Sequence, residues 1–143
     1  MVIIDSCVWI DALRRRGDLT TKVSLESLLA VFEAQICSHI RLEVLSGARA
    51  QDRALLSEHF STLPNRTIEE SDWARATELS WQMRDAGVDF PWNNLLTAAI
   101  AIHDKSRIYS FDSDLHELAR VDPRVGLYRP GYGGAYTPDP SNP

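Results

Sequence analysis

Short runs rich in β-branched residues alternate in this chain with longer stretches of helical apolar spacing, and this alternation constrains the fold more than any other feature. Val2-Ile3-Ile4-Asp5 opens the chain as an apolar run suited to a buried parallel strand. Further strands are predicted at Gln35–Ser38, Arg66–Ile68, Arg107–Ser110 and Val125–Tyr128. A short helix is predicted over Val8–Arg16, ended by Gly17, and Leu25, Leu28, Leu29, Phe32 and Ile36 mark a second from about Thr21 to Ala34. His39–Ala48 reads as a helix capped by Ser38, and Gln51–Leu63 as one stopped by Pro64. Ser71 is the expected cap of a long helix to Ala86, with Gly87 as its stop. Asn93 or Asn94 is expected to cap a nearly all-apolar helix running to about Lys105, and Ser113–Arg120 forms the last helix. Strands alternating with helices imply a parallel sheet covered on both faces, an α/β domain, and 143 residues suit one such domain. From Arg129 the composition turns to Pro, Gly and Ser, so residues 129–143 are expected to form a flexible extension or an arm that wraps a partner, beyond a domain of residues 1–128.

In parallel sheets, function collects at the carboxyl ends of the strands. Asp5 and Asp112 fall at that end of their predicted strands, and Glu43 shares a helix face with Ile40, Val44 and Gly47, which points it inward. Each acid has a plain alternative: Asp5, Asp112 and Asp114 as helix caps, and Glu43 as the partner of Arg41 or Arg49. Their joint placement at the right element ends favours a shared acidic cleft. Charged groups beside a core are costly unless neutralised, and close-set carboxylates raise one another's pKa unless a cation lies among them. Oxygen donors without paired Cys or His suit Mg²⁺ or Mn²⁺ rather than zinc, which points to phosphodiester hydrolysis.

The remaining polar residues narrow the reading. His39, His59, His103 and His116 show no metal-ligand spacing, and Glu69, Glu70 and Asp72 crowd a helix start where the macrodipole explains them. Cys7 and Cys37 form no metal motif and read as buried reduced thiols. A net charge of −5 argues against nucleic-acid binding over the whole surface while allowing a local basic patch. Arg14-Arg15-Arg16 is the one basic run, either a solvated helix end or a phosphate contact. Trp9 and Trp92 lie next to motif residues and read as core or dimer contacts, with stacking on an unpaired base as the alternative. No basic region precedes the apolar start, which Asp5 interrupts, and Leu95–Ile102 is too short to span a membrane, so a cytoplasmic protein is expected.

Val-Ile-Ile-Asp-Ser-Cys-Val-Trp-Ile-Asp at the start resembles the opening of a PIN domain, specifically of the VapC-type toxins of bacterial VapBC pairs. Arg-Leu-Glu-Val-Leu-Ser-Gly-Ala resembles the family's second motif, Phe-Pro-Trp-Asn-Asn-Leu-Leu-Thr-Ala-Ala its third and Ile-Tyr-Ser-Phe-Asp-Ser-Asp-Leu its fourth, in register from residue 1 to about 128. The resemblance implies a PIN-like three-layer α/β/α fold with a short, mainly parallel central sheet. It also implies a Mg²⁺- or Mn²⁺-dependent endoribonuclease acting on tRNA or rRNA, a homodimer held silent by a VapB-type antitoxin. Carried over, Asp5, Glu43 and Asp112 would ligate or position the metal, Ser110 would contact the site and Asp114 would be an accessory acid. The family's third acid aligns with Asn94, whose amide brings no charge, so metal affinity is expected to fall by roughly 10–100-fold or more. A naturally weakened variant and an Asp-to-Asn substitution made to silence a toxic nuclease both fit that residue. Haloacid-dehalogenase phosphatases fit poorly, since they need a second Asp where Cys7 stands, and so do response-regulator receivers, which need an early acid pair. The rival reading is a catalytically silent PIN-fold module acting through antitoxin binding or dimer assembly.

Overall fold

The computed structural model describes residues 1–140. Its sheet is parallel throughout, in the order β3-β2-β1-β4, with β1 (Val2–Ile4), β2 (Ala34–Cys37), β3 (Asn65–Arg66) and β4 (Arg107–Tyr109). β1 pairs with β2 on one side (Val2 opposite Ala34) and with β4 on the other (Ile4 opposite Tyr109). All three of its residues are buried, which is why the run is uniformly apolar. Seven α-helices are interleaved among the described residues: α1 (Ser6–Leu13), α2 (Leu19–Ala30), α3 (Ser38–Ser46), α4 (Arg53–Ser61), α5 (Glu70–Asp85), α6 (Trp92–Asp104) and α7 (Ser113–Val121). This is the expected α/β architecture. The core runs from β1 and β4 into the buried length of α6, Asn94 to Ala101, and into Leu115 and Leu118 of α7. Among the described residues no helix is long and apolar enough to cross a membrane.

Several boundaries differ from the sequence-based expectation for identifiable reasons. α1 starts at Ser6 rather than Val8 because Asp5 caps it, its Oδ1 accepting from the Ser6 amide at 2.9 Å. α5 is capped by Glu69 rather than Ser71, in a box closed by Asp72, whose Oδ2 accepts from the Glu69 amide at 2.8 Å. Asp72 is also more than a macrodipole residue. Its buried carboxylate takes Arg66 at 2.9 Å through both oxygens and Arg75 at 3.2 Å. Burial opposes its ionisation, but Arg66 and the Glu69 amide outweigh that and hold its pKa low. α3 has Cys37 at its cap position without a side-chain cap bond, and Ser38 is its first residue. α6 is capped at Pro91, which leaves Asn93 and Asn94 inside its first turn, so neither is a cap.

Val125–Tyr128 is not a strand. A turn takes the Val125 amide (to the Asp122 carbonyl, 3.1 Å), and the segment joins β4 only through an isolated bridge, Ile108 with Leu127. The expected flexible extension does not describe residues 129–140 either, which fold back onto the domain. Ser27 of α2 donates to the Gly134 carbonyl at 3.0 Å, Arg107 to the Thr137 carbonyl at 2.9 Å, and the Thr137 amide to the Tyr128 hydroxyl at 3.3 Å. Gly134 sits at φ +94°, and a Cβ there would lie 2.7 Å from the Thr20 carbonyl oxygen, so only glycine lets the segment approach α2 this closely. The last three residues of the tail lie outside the described residues.

Candidate active site

Adjacent parallel strands deliver the ends of β1 and β4 to one sheet edge, where the Asp5 amide donates to the Tyr109 carbonyl at 3.0 Å. One residue on, the Ser110 hydroxyl donates to Asp5 Oδ2 at 2.6 Å and accepts from the Asp112 amide at 2.9 Å. Asp112 caps α7, its Oδ1 accepting from the Asp114 amide at 2.8 Å, while its Oδ2 accepts from the Asn94 side-chain amide at 3.4 Å. Asp5, Ser110, Asp112 and Asn94 thus share one hydrogen-bond network drawn from β1, β4, α7 and α6. Among the described residues, the Asp114 carboxylate joins no hydrogen bond or ion pair of that network; its backbone does.

Glu43 reaches this region by a second branch. Its Oε1 accepts from the Asn93 side chain at 3.2 Å, and no ion pair among the described residues joins it to Arg41 or Arg49. Asn93 is itself fixed by Thr97, whose hydroxyl donates to the Asn93 carbonyl at 2.9 Å and lies 2.7 Å from His39 Nε2. Since the single Thr97 proton is committed, His39 must donate through Nε2, which leaves its buried Nδ1 as an acceptor without a partner. Burial lowers the His39 pKa against the pull of Glu43, which keeps the ring neutral. The His39–Thr97–Asn93 chain therefore latches α3 to the first turn of α6 and holds Glu43 beside it.

The electrostatics are one-sided. Asp5 is 6% exposed, and no ion pair among the described residues includes Asp5, Glu43, Asp112 or Asp114. Burial raises the Asp5 pKa, the Ser110, Ser6 and Cys7 hydrogen bonds oppose that rise, and the charge of Glu43 adds to it. A buried carboxylate without a cationic partner, among oxygen donors, matches a hard divalent cation in kind. Asn94 brings an amide to this network and no charge. Among the described residues no three of His, Cys, Asp and Glu converge closely enough to hold an ion.

Two contributors escaped the sequence reading. Asn93, read from the sequence only as a possible helix cap and a neighbour of Asn94 in the third motif, positions Glu43. Cys7, half-buried rather than core, packs its Sγ 3.4 Å from Asp5 Oδ2 and 3.5 Å from Ser110 Oγ and accepts from the Phe111 amide at 3.3 Å. Burial and the Asp5 charge push its pKa up, so it stays a thiol. Trp9 is fully buried against Phe60, whereas Trp92 is exposed. Arg14, Arg15 and Arg16 are all exposed beyond α1. Arg14 and Arg15 border a cavity of about 380 Å³ lined also by Ile10, Leu13, Arg49 and Leu56, and none of the site acids lines it.

Sequence comparison with curated proteins finds no match. Solved structures resemble the chain closely in fold. A toxin–antitoxin complex from Klebsiella pneumoniae superposes with TM-score 0.67 at 17% identity, over 87% of this chain and 95% of its own. VapBC2 from Rickettsia felis, bound to a DNA fragment from its promoter, gives 0.70 at 18%, over 90% and 98%. VapC20 from Mycobacterium tuberculosis, a sarcin–ricin-loop-cleaving toxin, gives 0.62 at 14%, over 82% and 94%. The PIN-domain profile matches residues 2–121, and with the parallel sheet and the acids gathered at its edge, this match establishes that the chain belongs to the PIN-domain family.

Proposed function

We propose that this chain is a VapC-type toxin, a cytoplasmic, homodimeric endoribonuclease that requires Mg²⁺ or Mn²⁺, cleaves tRNA or rRNA and is neutralised by a VapB-type antitoxin. The observation that carries this reading is the buried, unpaired Asp5 carboxylate, joined through Ser110 to Asp112 at the sheet edge, with Asn94 on the same network. The ion, when bound, supplies Lewis acidity to the phosphoryl oxygen and to the attacking water. Asp5, Asp112 and the Asn94 amide oxygen are the residues that would hold it. Ser110 fixes the orientation of the Asp5 carboxylate, Asn93 holds Glu43 in reserve as a ligand or positioning acid, and Asp114 is the accessory acid. Asn94 weakens metal affinity and hence cleavage. The cavity beside α1, apolar within and rimmed by Arg14 and Arg15, with Arg49 already paired to Asp52, suits an amphipathic acidic segment of an antitoxin.

A second reading, a catalytically silent PIN-fold module that works through antitoxin binding or dimer assembly, draws on one observation: among the described residues only two carboxylates, Asp5 and Asp112, sit on the shared network. RNA cleavage with Mg²⁺ or Mn²⁺ separates the readings, assayed side by side for this chain and its Asn94→Asp variant on a tRNA and rRNA panel. Cleavage that appears or rises at least tenfold in the variant supports the nuclease. Silence from both supports the module.

A further inference from the structure

The turn Ser110-Phe111-Asp112 carries both site residues that follow β4, yet its middle side chain anchors it poorly. Phe111 is 51% exposed, and its ring meets Tyr109 edge-on with centroids 5.6 Å apart. The first peptide unit of the turn is held far better. The Ser110 carbonyl accepts from His116 Nε2 of α7 at 2.8 Å, and the Phe111 amide donates to Cys7 Sγ of α1 at 3.3 Å. A carbonyl can only accept, so Nε2 carries the proton. These two groups are the C=O and N–H of one trans peptide, which point in opposite directions within a single plane. Side chains from two helices therefore grip one peptide plane at both ends. Cys7 also donates its thiol proton to Asp5 Oδ2 at 3.4 Å, so the grip is continuous with the acid network.

We propose that Cys7 and His116 are positioning residues that lock the Ser110–Phe111 peptide and so set Ser110 and Asp112 against Asp5 for metal-assisted cleavage. This rests on the ribonuclease reading above. A free peptide plane turns by a coupled change of ψ at Ser110 and φ at Phe111. That motion carries the Phe111 amide away from Cys7 and the Asp112 amide away from the Ser110 hydroxyl, which it meets at 2.9 Å. The hydroxyl that aims Asp5 and the carboxylate of Asp112 then lose their common frame. His116 is exposed, and among the described residues no ion pair includes it. Its ring nevertheless bends back six residues to the Ser110 carbonyl, while its own amide bonds the Asp112 carbonyl at 3.2 Å, so one residue grips the turn twice. Neither side chain has to touch substrate or cation to act in this way.

Hydrogen exchange of the Phe111 amide, followed by NMR of the full chain in EDTA, reads the grip without metal. The buried Ile108 amide, bonded to the Gly126 carbonyl, reports global opening alongside it. His116→Phe keeps a ring but no donor, and His116→Gln keeps an N–H at similar reach. His116→Phe is expected to speed Phe111 exchange about tenfold with Ile108 unchanged, and His116→Gln by less than about threefold. Mn²⁺ dissociation constants, measured for this chain and for Asn94→Asp, are expected to rise about tenfold with His116→Phe or Cys7→Ala. Cys7→Ser, which can still donate to Asp5 and accept from Phe111, and His116→Gln should restore them to within about threefold. Because both side chains act on one peptide, the double variant His116→Phe/Cys7→Ala should lose about as much as either single one, not about a hundredfold. In an Asn94→Asp background, His116→Phe is expected to lower kcat about tenfold with KM little changed. Phe111 exchange that ignores His116→Phe, a rise shared equally by Ile108, or the full product of losses in the double variant overturns the proposal. The two readings fail separately. Cleavage and Mn²⁺ affinity of Asn94→Asp that neither His116→Phe nor Cys7→Ala alters sink the positioning role alone. Selective loss of Phe111 protection, with no Mn²⁺ binding or cleavage by Asn94→Asp, upholds the grip on the turn and sinks the nuclease alone.

Discussion

Replacing Asn94 with Asp puts a carboxylate where an amide now donates to Asp112 Oδ2 across 3.4 Å. Two unit charges at that separation repel by about 1 kcal/mol in water and about 5 kcal/mol at an effective dielectric constant of 20. Asp112 is half-buried, so the cost lies between those limits. Adding the hydrogen bond that is lost, about 2–3 kcal/mol of stability should disappear without divalent ions. In a domain of this size each kcal/mol moves Tm by about 3 °C, so Asn94→Asp should melt about 6–9 °C below the parent in EDTA. Mn²⁺ at about a hundred times its dissociation constant returns about 2.7 kcal/mol, enough to cancel the deficit. The parent, with one charged ligand fewer, should gain less at the same Mn²⁺ concentration. Thermal unfolding of both proteins, in EDTA and over a Mn²⁺ series, checks this. A variant as stable as the parent in EDTA, or a deficit that Mn²⁺ leaves in place, would refute the claim that position 94 faces Asp112 across a cation site.

Asp5→Asn keeps a competent helix cap and removes only the buried charge. Burial raises the Asp5 pKa above its ordinary 3.8, so the folded state binds that proton more tightly; the resulting stability is present below pH 3.8 and is lost as pH rises through the folded value. Asp5→Asn should therefore gain about 1 kcal/mol at pH 7 and little at pH 3, while losing any Mn²⁺ response; a loss of stability at pH 7 in urea titrations would contradict this. Thr97→Val strands the His39 Nε2–H in the core and frees Asn93, so urea unfolding should show a loss of about 1–3 kcal/mol, and a neutral result would break the latch between α3 and α6. Gly134→Ala forces a Cβ against the Thr20 carbonyl at a positive φ, so limited proteolysis should cut residues 129–140 several-fold faster; unchanged protection would mean the segment is not held there.

How legible the site was in the sequence depends on which physical signal each residue carried. The ends of β1 and β4 could be placed because β-branched runs followed by an acid are local features, and a parallel pairing brings such ends together. Asp5 and Asp112 were each open to two readings, cap or site acid, and the structure has both caps in place with the second oxygen of each turned to the network. Asn94 was misplaced as a possible cap because amides favour that position, yet Pro91, with its fixed φ, starts the helix earlier. Asp72 looked like one of three acids at a helix start explained by the macrodipole; only the tertiary approach of Arg66 from β3 makes it a buried ion-pair centre. Glu43 could be turned inward by helical periodicity, but its partner Asn93 lies fifty residues away, and no local pattern announces a contact of that range. The fold-back of residues 129–140 was hidden for a similar reason, since Gly and Pro read as flexible until a neighbouring helix is seen to require the glycine.

The central position of β1 sets when this site comes into being. Val2–Ile4 precedes the other strands in the chain, yet Ser110, which orients Asp5, lies 105 residues beyond it. Until β4 is made, β1 lacks its partner on one side and Asp5 stands apart from Asp112, so a chain interrupted before that point carries no assembled network at any length. The long separation also makes folding slow, because its closure entropy must be met before the pairing rewards it. During that interval an apolar strand edge is open to other chains, so aggregation competes with completion. Assembly of the network is thus tied to synthesis through Asp112, and the interval before it is a period of vulnerability for the protein itself.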